Sequence, residues 1–182
     1  MATATGDGRE TMEANLFGRD VSFEYSETWI GYSLLSLRLI MGWTFLYAGL
    51  EKVLDSSWSA EGFLLYGIPD GNNFTGLWET IAADWLWLVD PLNQWGQVLV
   101  GLALILGIAV RWSAVWGAVM MLFYWLASFP LEHAIIIDDH VVYALLLFGL
   151  GAFGAGRILG LDRRIEETEV VRANPWLRYI LG

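Results

Sequence analysis

Residues 29–54 form an apolar run interrupted only by Arg38 and by Glu51 and Lys52 near its end. Such a run exceeds the roughly 20 residues needed to cross the hydrocarbon core of a bilayer. It is not alone, because 56% of the chain is hydrophobic and only 16% is charged. The charges gather in an N-terminal arm, two connecting segments and a C-terminal tail, so the stretches between them read as further spans at about 91–110, 112–129 and 140–159. Pro91 suits the first turn of the second span, Arg111 separates the second from the third, and Pro130 closes the third. The expected fold is all-α: an integral membrane four-helix bundle over residues 29–165, with the lipid bilayer as its solvent.

The remaining segments frame that bundle. Residues 1–28 are polar and acidic with no apolar core, and are expected to be a cytoplasmic arm and not a secretory signal. Residues 55–90 mix acids with Trp58, Phe63, Tyr66, Trp78, Trp85 and Trp87 around the turn signal Gly67-Ile68-Pro69-Asp70-Gly71. This pattern predicts short interfacial helices in the first outer loop. Residues 166–182 form a cytoplasmic tail, expected at the interface. Orientation follows from the arginines: Arg9, Arg19, Arg111, Arg157, Arg163, Arg164, Arg172 and Arg178 all fall on one set of segments. The alternate loops carry acids and neither lysine nor arginine, so both termini of this multi-pass chain should face the cytoplasm.

Charge also excludes functions. A net charge of −10 leaves no basic face for a phosphate backbone, so no nucleic-acid partner is expected. Lys52 is the only lysine against 20 acids, a balance suited to a saturated-salt cytoplasm such as that of a halophilic archaeon. The absence of cysteine removes disulfides, thiolate ligands and thiol nucleophiles, so redox chemistry here requires cofactors that are not covalently bound to the chain.

Two groups of residues could carry chemistry. Arg38, Gly42, Phe45, Gly49 and Lys52 recur at steps of three and four and form one stripe of a helix. An intramembrane guanidinium needs a partner, so this stripe should face the bundle interior, where a carboxylate or loop carbonyls would hold Arg38. At the opposite end, Glu51, Lys52, Glu132, His133, Asp138, Asp139 and His140 lie near the outer boundary. The first and last helices run antiparallel, so these residues are expected to converge on a polar cluster, with Lys52, Glu51 and His140 as the candidate catalytic groups. His133 and His140 lack a spacing that fixes metal geometry, and Asp138-Asp139-His140 also reads as an acidic helix start, so no metal is expected. Gln97, on one helix face with Gly101, can hydrogen-bond into the bundle. Gly149, Gly151, Gly154 and Gly156 should slim the last helix for close contacts, and the 11 tryptophans read as interfacial anchors.

The segment Arg38-Leu-Ile-Met-Gly42-Trp-Thr-Phe45-Leu-Tyr-Ala-Gly49-Leu-Glu51-Lys52 resembles the first-helix signature of the DoxX/DoxD family of small four-helix membrane proteins. Gly96-Gln97, Gly101 to Gly107 and Arg111 look like that family's second helix. Gly154-Ala-Gly156-Arg157 with Leu161-Asp162-Arg163 is similar to its C-terminal close. Many relatives carry glutamate where Gln97 stands, so a proton-transferring carboxylate is missing at that position.

The resemblance implies a fold directly and a reaction less directly. The family includes the DoxD subunit of thiosulfate:quinone oxidoreductase, which acts beside a second subunit. The expectation is therefore an integral membrane subunit of a quinone-linked oxidoreductase, with a membrane-protein partner or a homo-oligomer. Arg38, His133, Asp138, Asp139 and Gln97 would contact substrate or partner, and quinone would be the cofactor. The alternative is a non-catalytic membrane scaffold. A small transporter rests only on Arg38 and Lys52 and lacks paired broken helices.

Overall fold

A computed structural model describes residues 4–5, 9–131 and 135–182. It is mostly helical. The long elements are α1 (Glu27–Leu54), α3 (Leu86–Leu106), α4 (Val110–Ala127) and α5 (Asp139–Ala152), with a shorter α2 (Thr75–Asp84) between the first two. Of these, α1 and α4 are long and apolar enough to cross a membrane.

The arm contains strands, so all-α is too narrow a description. Strands β1 (Ala4–Thr5), β2 (Arg9–Leu16) and β3 (Arg19–Tyr25) form an antiparallel sheet in the order β1-β2-β3. The β2–β3 turn at Phe17 and Gly18 has φ of 53° and 78°, the paired left-handed conformation that matches strand twist in two-residue hairpins. Only Ser26 then separates β3 from α1.

Helix α1 buries Leu34, Arg38, Met41, Gly42, Phe45 and Gly49, the face anticipated from the stripe. Its main partner is α3. A Cβ on Gly42 would lie 2.8 Å from Ile105, and one on Gly49 would lie 2.6 Å from the backbone nitrogen of Val98. Gly101 answers from α3, with the backbone of Leu46 inside the space a Cβ would need. Three glycines thus bring two backbones together, the packing available where lipid tails are as apolar as leucine. Helices α4 and α5 form the other close pair, and Leu147, Leu150, Val110 and Leu104 fill the core between pairs.

Helix boundaries depart from the expected spans in three places. The first is that α3 stops at Leu106, where Gly107 turns left-handed, so that Arg111 lies inside α4 and does not separate the two helices. Helix α3 begins at Leu86, which puts Pro91 inside it. Leu86 and Val89 pack on a second core of Ala60, Leu64, Trp78, Ala82 and Ala127, and that burial offsets the backbone bond the proline removes. Helix α5 ends at Ala152 and not near 159, because Gly154 turns left-handed at φ 63°.

Residues 55–90 do contain short helical pieces, a π-helical turn at Phe63–Gly67 and α2. Asn72 holds this segment against the end of α4. Its amide donates to the carbonyls of Leu126, Ala127 and Phe129, and its oxygen accepts from Phe74 N and Trp78 Nε1. Trp78 is therefore a buried core residue, unlike the exposed Trp29, Trp43, Trp87 and Trp95, which suit a lipid-facing belt. At the start of the segment, donation from Ser57 holds the Asp55 carboxyl below the usual carboxylate range.

Candidate functional site

The two ends of the bundle are built differently. At the Arg38 end the side chain is 1% exposed, and Nη1 donates 2.6 Å to the carbonyl of Ala155. Gly107 and Gly160 form a cradle for the guanidinium: a Cβ on either would fall 2.8 or 2.7 Å from Nη1. Asp162, fully buried, acts electrostatically on Arg38. Its carboxylate accepts from Ala109 N at 2.6 Å, Val110 N at 3.0 Å and Gly182 N at 2.9 Å. It thereby caps α4, holds the left-handed Ala109 (φ 48°), and fastens the C-terminal segment to the α3–α4 turn. Arg111 adds bonds to the carbonyls of Gly151 and Arg178. A backbone carbonyl is among the partners anticipated for Arg38, whose buried Nε has no hydrogen-bond partner among the described residues.

At the other end a polar chain crosses from α3 to α5. Gln97 is 4% exposed and its amide nitrogen donates 3.1 Å to the hydroxyl of Tyr124. That hydroxyl donates to Asn93 Oδ1. The Tyr124 ring lies 5.6 Å, centroid to centroid, from the imidazole of His140. His140 Nδ1 is 2.7 Å from Asp138 Oδ2, with Asp139 Oδ1 at 3.5 Å. Asp138 also caps α5 by accepting from Val141 N, so the acidic helix start and the histidine partner are one residue. An ionised Asp138 keeps the proton of a neutral imidazole on Nδ1 and leaves Nε2 as an acceptor. The side-chain oxygen of Gln97 is buried and has no hydrogen-bond partner among the described residues. A buried carbonyl without a donor costs free energy, about 1–3 kcal/mol.

The amino-acid segment 33–129, which contains Arg38, Lys52, Gln97 and Tyr124, matches the DoxX family model. The chain belongs to the DoxX family. No curated protein and no solved structure matches it. The DoxX match ends at 129, so α5, with His140, and the Asp162 closure lie beyond it. Members of the family are usually membrane proteins, in keeping with α1 and α4.

Lys52 and Glu51 fall outside the polar chain. Lys52 donates 3.0 Å to the carbonyl of Ala48 and sits 5.6 Å from the centroid of the Trp58 ring. The Glu51 carboxylate faces the phenol of Tyr47. Among the described residues, no hydrogen bond or ion pair joins Lys52 or Glu51 to Asp138, Asp139 or His140. Glu132 and His133 lie outside the described residues. Asp138, Asp139 and His140 do place ligand atoms within 4.8 Å of one another, but helix capping and the imidazole contact already employ Asp138.

Sequence reasoning missed Asn93, Tyr124, Asn72 and Asp162. Asn93 and Gln97 stand four apart on α3, the spacing that puts two amides on one face, and this signal was available. Tyr124 gave none, since a tyrosine in an apolar helix reads as packing or as part of the belt.

Proposed function

We propose that this DoxX protein is a four-span membrane subunit of a quinone-linked oxidoreductase, with both termini cytoplasmic and its functional site at the Gln97–Tyr124–His140 chain. The observation that carries this reading is the buried Gln97 oxygen without a donor, beside a tyrosine whose ring makes a tilted contact with a histidine. A lipid-soluble quinol offers a hydroxyl to such an oxygen. The arginines that follow α1, gathered where the α3–α4 link meets the tail, support the orientation.

A quinone bound there would supply an acceptor for two electrons and two protons, and its reduced form, the quinol, carries the hydroxyl that the Gln97 oxygen would accept. The protein's part is to bind, orient and move protons. Gln97 accepts a ligand hydroxyl, Tyr124 fixes the Gln97 amide, and His140 Nε2 takes or returns a proton at the outer boundary. Asp138 sets the imidazole tautomer. Gln97 carries no proton-transferring carboxylate where many relatives have glutamate, so the imidazole nitrogen of His140 takes that part in this chain. Lys52 adds positive charge at the outer end of α1, where an anionic sulfur substrate such as thiosulfate would approach. Electrons reach the site from a partner subunit, because a chain without cysteine carries no thiolate-ligated redox centre.

Native mass spectrometry of the protein solubilised gently from its own membrane tests this reading. It should show a retained quinone and a bound partner subunit. A partner with no quinone would instead favour the scaffold reading, for which Gly149 on α5 is the relevant feature: a Cβ there meets nothing within 4 Å, leaving room for another helix.

A further inference from the structure

The register of the N-terminal hairpin sorts its side chains by polarity. Directly opposed pairs lie on one face, so Met12 with Phe23, Ala14 with Val21, and the β3 end residue Tyr25 share a side with Leu16. Glu10 and Arg19 close that side at base and tip. The other face holds Thr11, Glu13 and Asn15 opposite Glu24, Ser22 and Asp20, with Asn15 donating 2.7 Å to Asp20 across the strands. The apolar face is uncovered: Met12, Leu16, Val21 and Phe23 are all exposed, and the strands pack chiefly on one another. A hairpin of this size is marginal in water unless its apolar face is buried. The turn repeats the point, because Phe17 occupies a left-handed position that favours asparagine or glycine and its side chain is wholly exposed.

Position names the occupant. Only Ser26 lies between Tyr25 and α1, whose first turns expose Trp29 and Tyr32 as a tilted aromatic pair. Amphipathic aromatics of this kind sit at the membrane–water boundary. The one-residue link therefore holds the apolar side of the hairpin close to the end of α1 that carries these aromatics. The free edge of β3 cannot enter hydrocarbon, where its unpaired amides would have no water, and this limits the depth to the headgroup region.

We infer that the hairpin lies on the cytoplasmic bilayer surface, its Met12–Leu16 and Val21–Tyr25 face buried at the headgroup–acyl boundary and its acidic face in water. This rests on the membrane-spanning reading of α1. The hairpin would act as a collar that sets the depth and tilt of α1, and so of the Arg38 cradle.

The chain lacks cysteine, so single substitutions can carry a nitroxide label without altering a native thiol. Val21→Cys and Ser22→Cys form one pair, Phe23→Cys and Glu24→Cys a second, and Ile40→Cys, exposed in the middle of α1, is the control. The labelled full-length protein is placed in phosphatidylcholine vesicles, and collisions with oxygen, which enriches in lipid, are compared with those of a water-soluble nickel chelate. Labels at 21 and 23 should favour oxygen and labels at 22 and 24 should favour nickel, a period-two alternation shifted toward lipid. If Ile40 reports lipid while all four hairpin labels report water, the hairpin inference is overturned and the membrane reading stands. Shielding of 21 and 23 from both reagents would place a protein on that face and overturn it equally. An Ile40 label in water would defeat the membrane reading itself.

Discussion

The Nη1 of Arg38 donates to the carbonyl oxygen of Ala155, joining the first long helix to the segment that follows the last one. A guanidinium buried to this degree inside a cradle of Gly107 and Gly160 is held by geometry as well as by charge. Arg38→Leu should remove a charge-assisted bond and leave both the Ala155 carbonyl and the buried Asp162 without their cation. The expected cost is about 3 kcal/mol, read as a lowered unfolding temperature in detergent. Arg38→Lys should also destabilise, since an ammonium does not fill a planar cradle.

Asp162 accepts three backbone amides from two distant segments. Asp162→Ala should cost roughly 3–5 kcal/mol by orphaning buried amides and uncapping α4. Limited proteolysis would follow it: cleavage within 163–182 should accelerate well before the helices are attacked.

Gly101 has the backbone of Leu46 against it. Gly101→Leu should therefore push α1 from α3 and prevent recovery of a monodisperse protein. Gly149→Ala, by contrast, meets nothing within 4 Å and should leave stability unchanged within ~0.5 kcal/mol. Size-exclusion profiles of the two variants provide the comparison.

How far the sequence reached can be judged at these same residues. The inward stripe of α1 was legible because helical periodicity repeats locally, and Arg38, Gly42, Phe45 and Gly49 are all buried. Asp162 was not legible as a cap, since the amides it serves are 53, 52 and 20 residues away and carry no side-chain signature. The hairpin was legible in principle: Met12, Ala14 and Leu16 alternate, Val21, Phe23 and Tyr25 alternate, and Gly18 marks the turn. The density of acids between them hid a period of two. The glycines after 148 were read as packing, but Gly154 instead stops α5. The polar chain was half visible: His140, Asp138 and Gln97 were named, while the tyrosine joining them has no distinguishing context in an apolar helix.

Lys52, 5.6 Å from the centroid of the Trp58 ring at the C-terminal end of α1, makes no hydrogen bond or ion pair with the His140 group among the described residues. If it serves by attracting an anion, Lys52→Met should weaken the apparent affinity for thiosulfate about fivefold, the ~1 kcal/mol that one unit charge exerts at contact distance in water. Turnover at saturating substrate should be unchanged. Steady-state kinetics of the assembled complex separate the two parameters.

The most direct test of the Gln97–Tyr124–His140 site is binding of a short-chain ubiquinol analogue to the purified protein, followed by isothermal calorimetry for the native chain, Gln97→Leu and Tyr124→Phe. The native chain should bind. Gln97→Leu, which removes the oxygen that would accept the quinol hydroxyl, should lose at least about tenfold in affinity, and Tyr124→Phe, which frees the amide that positions it, should lose less. Equal binding by all three proteins, or none by the native chain, would contradict the assignment of a quinone site to these residues.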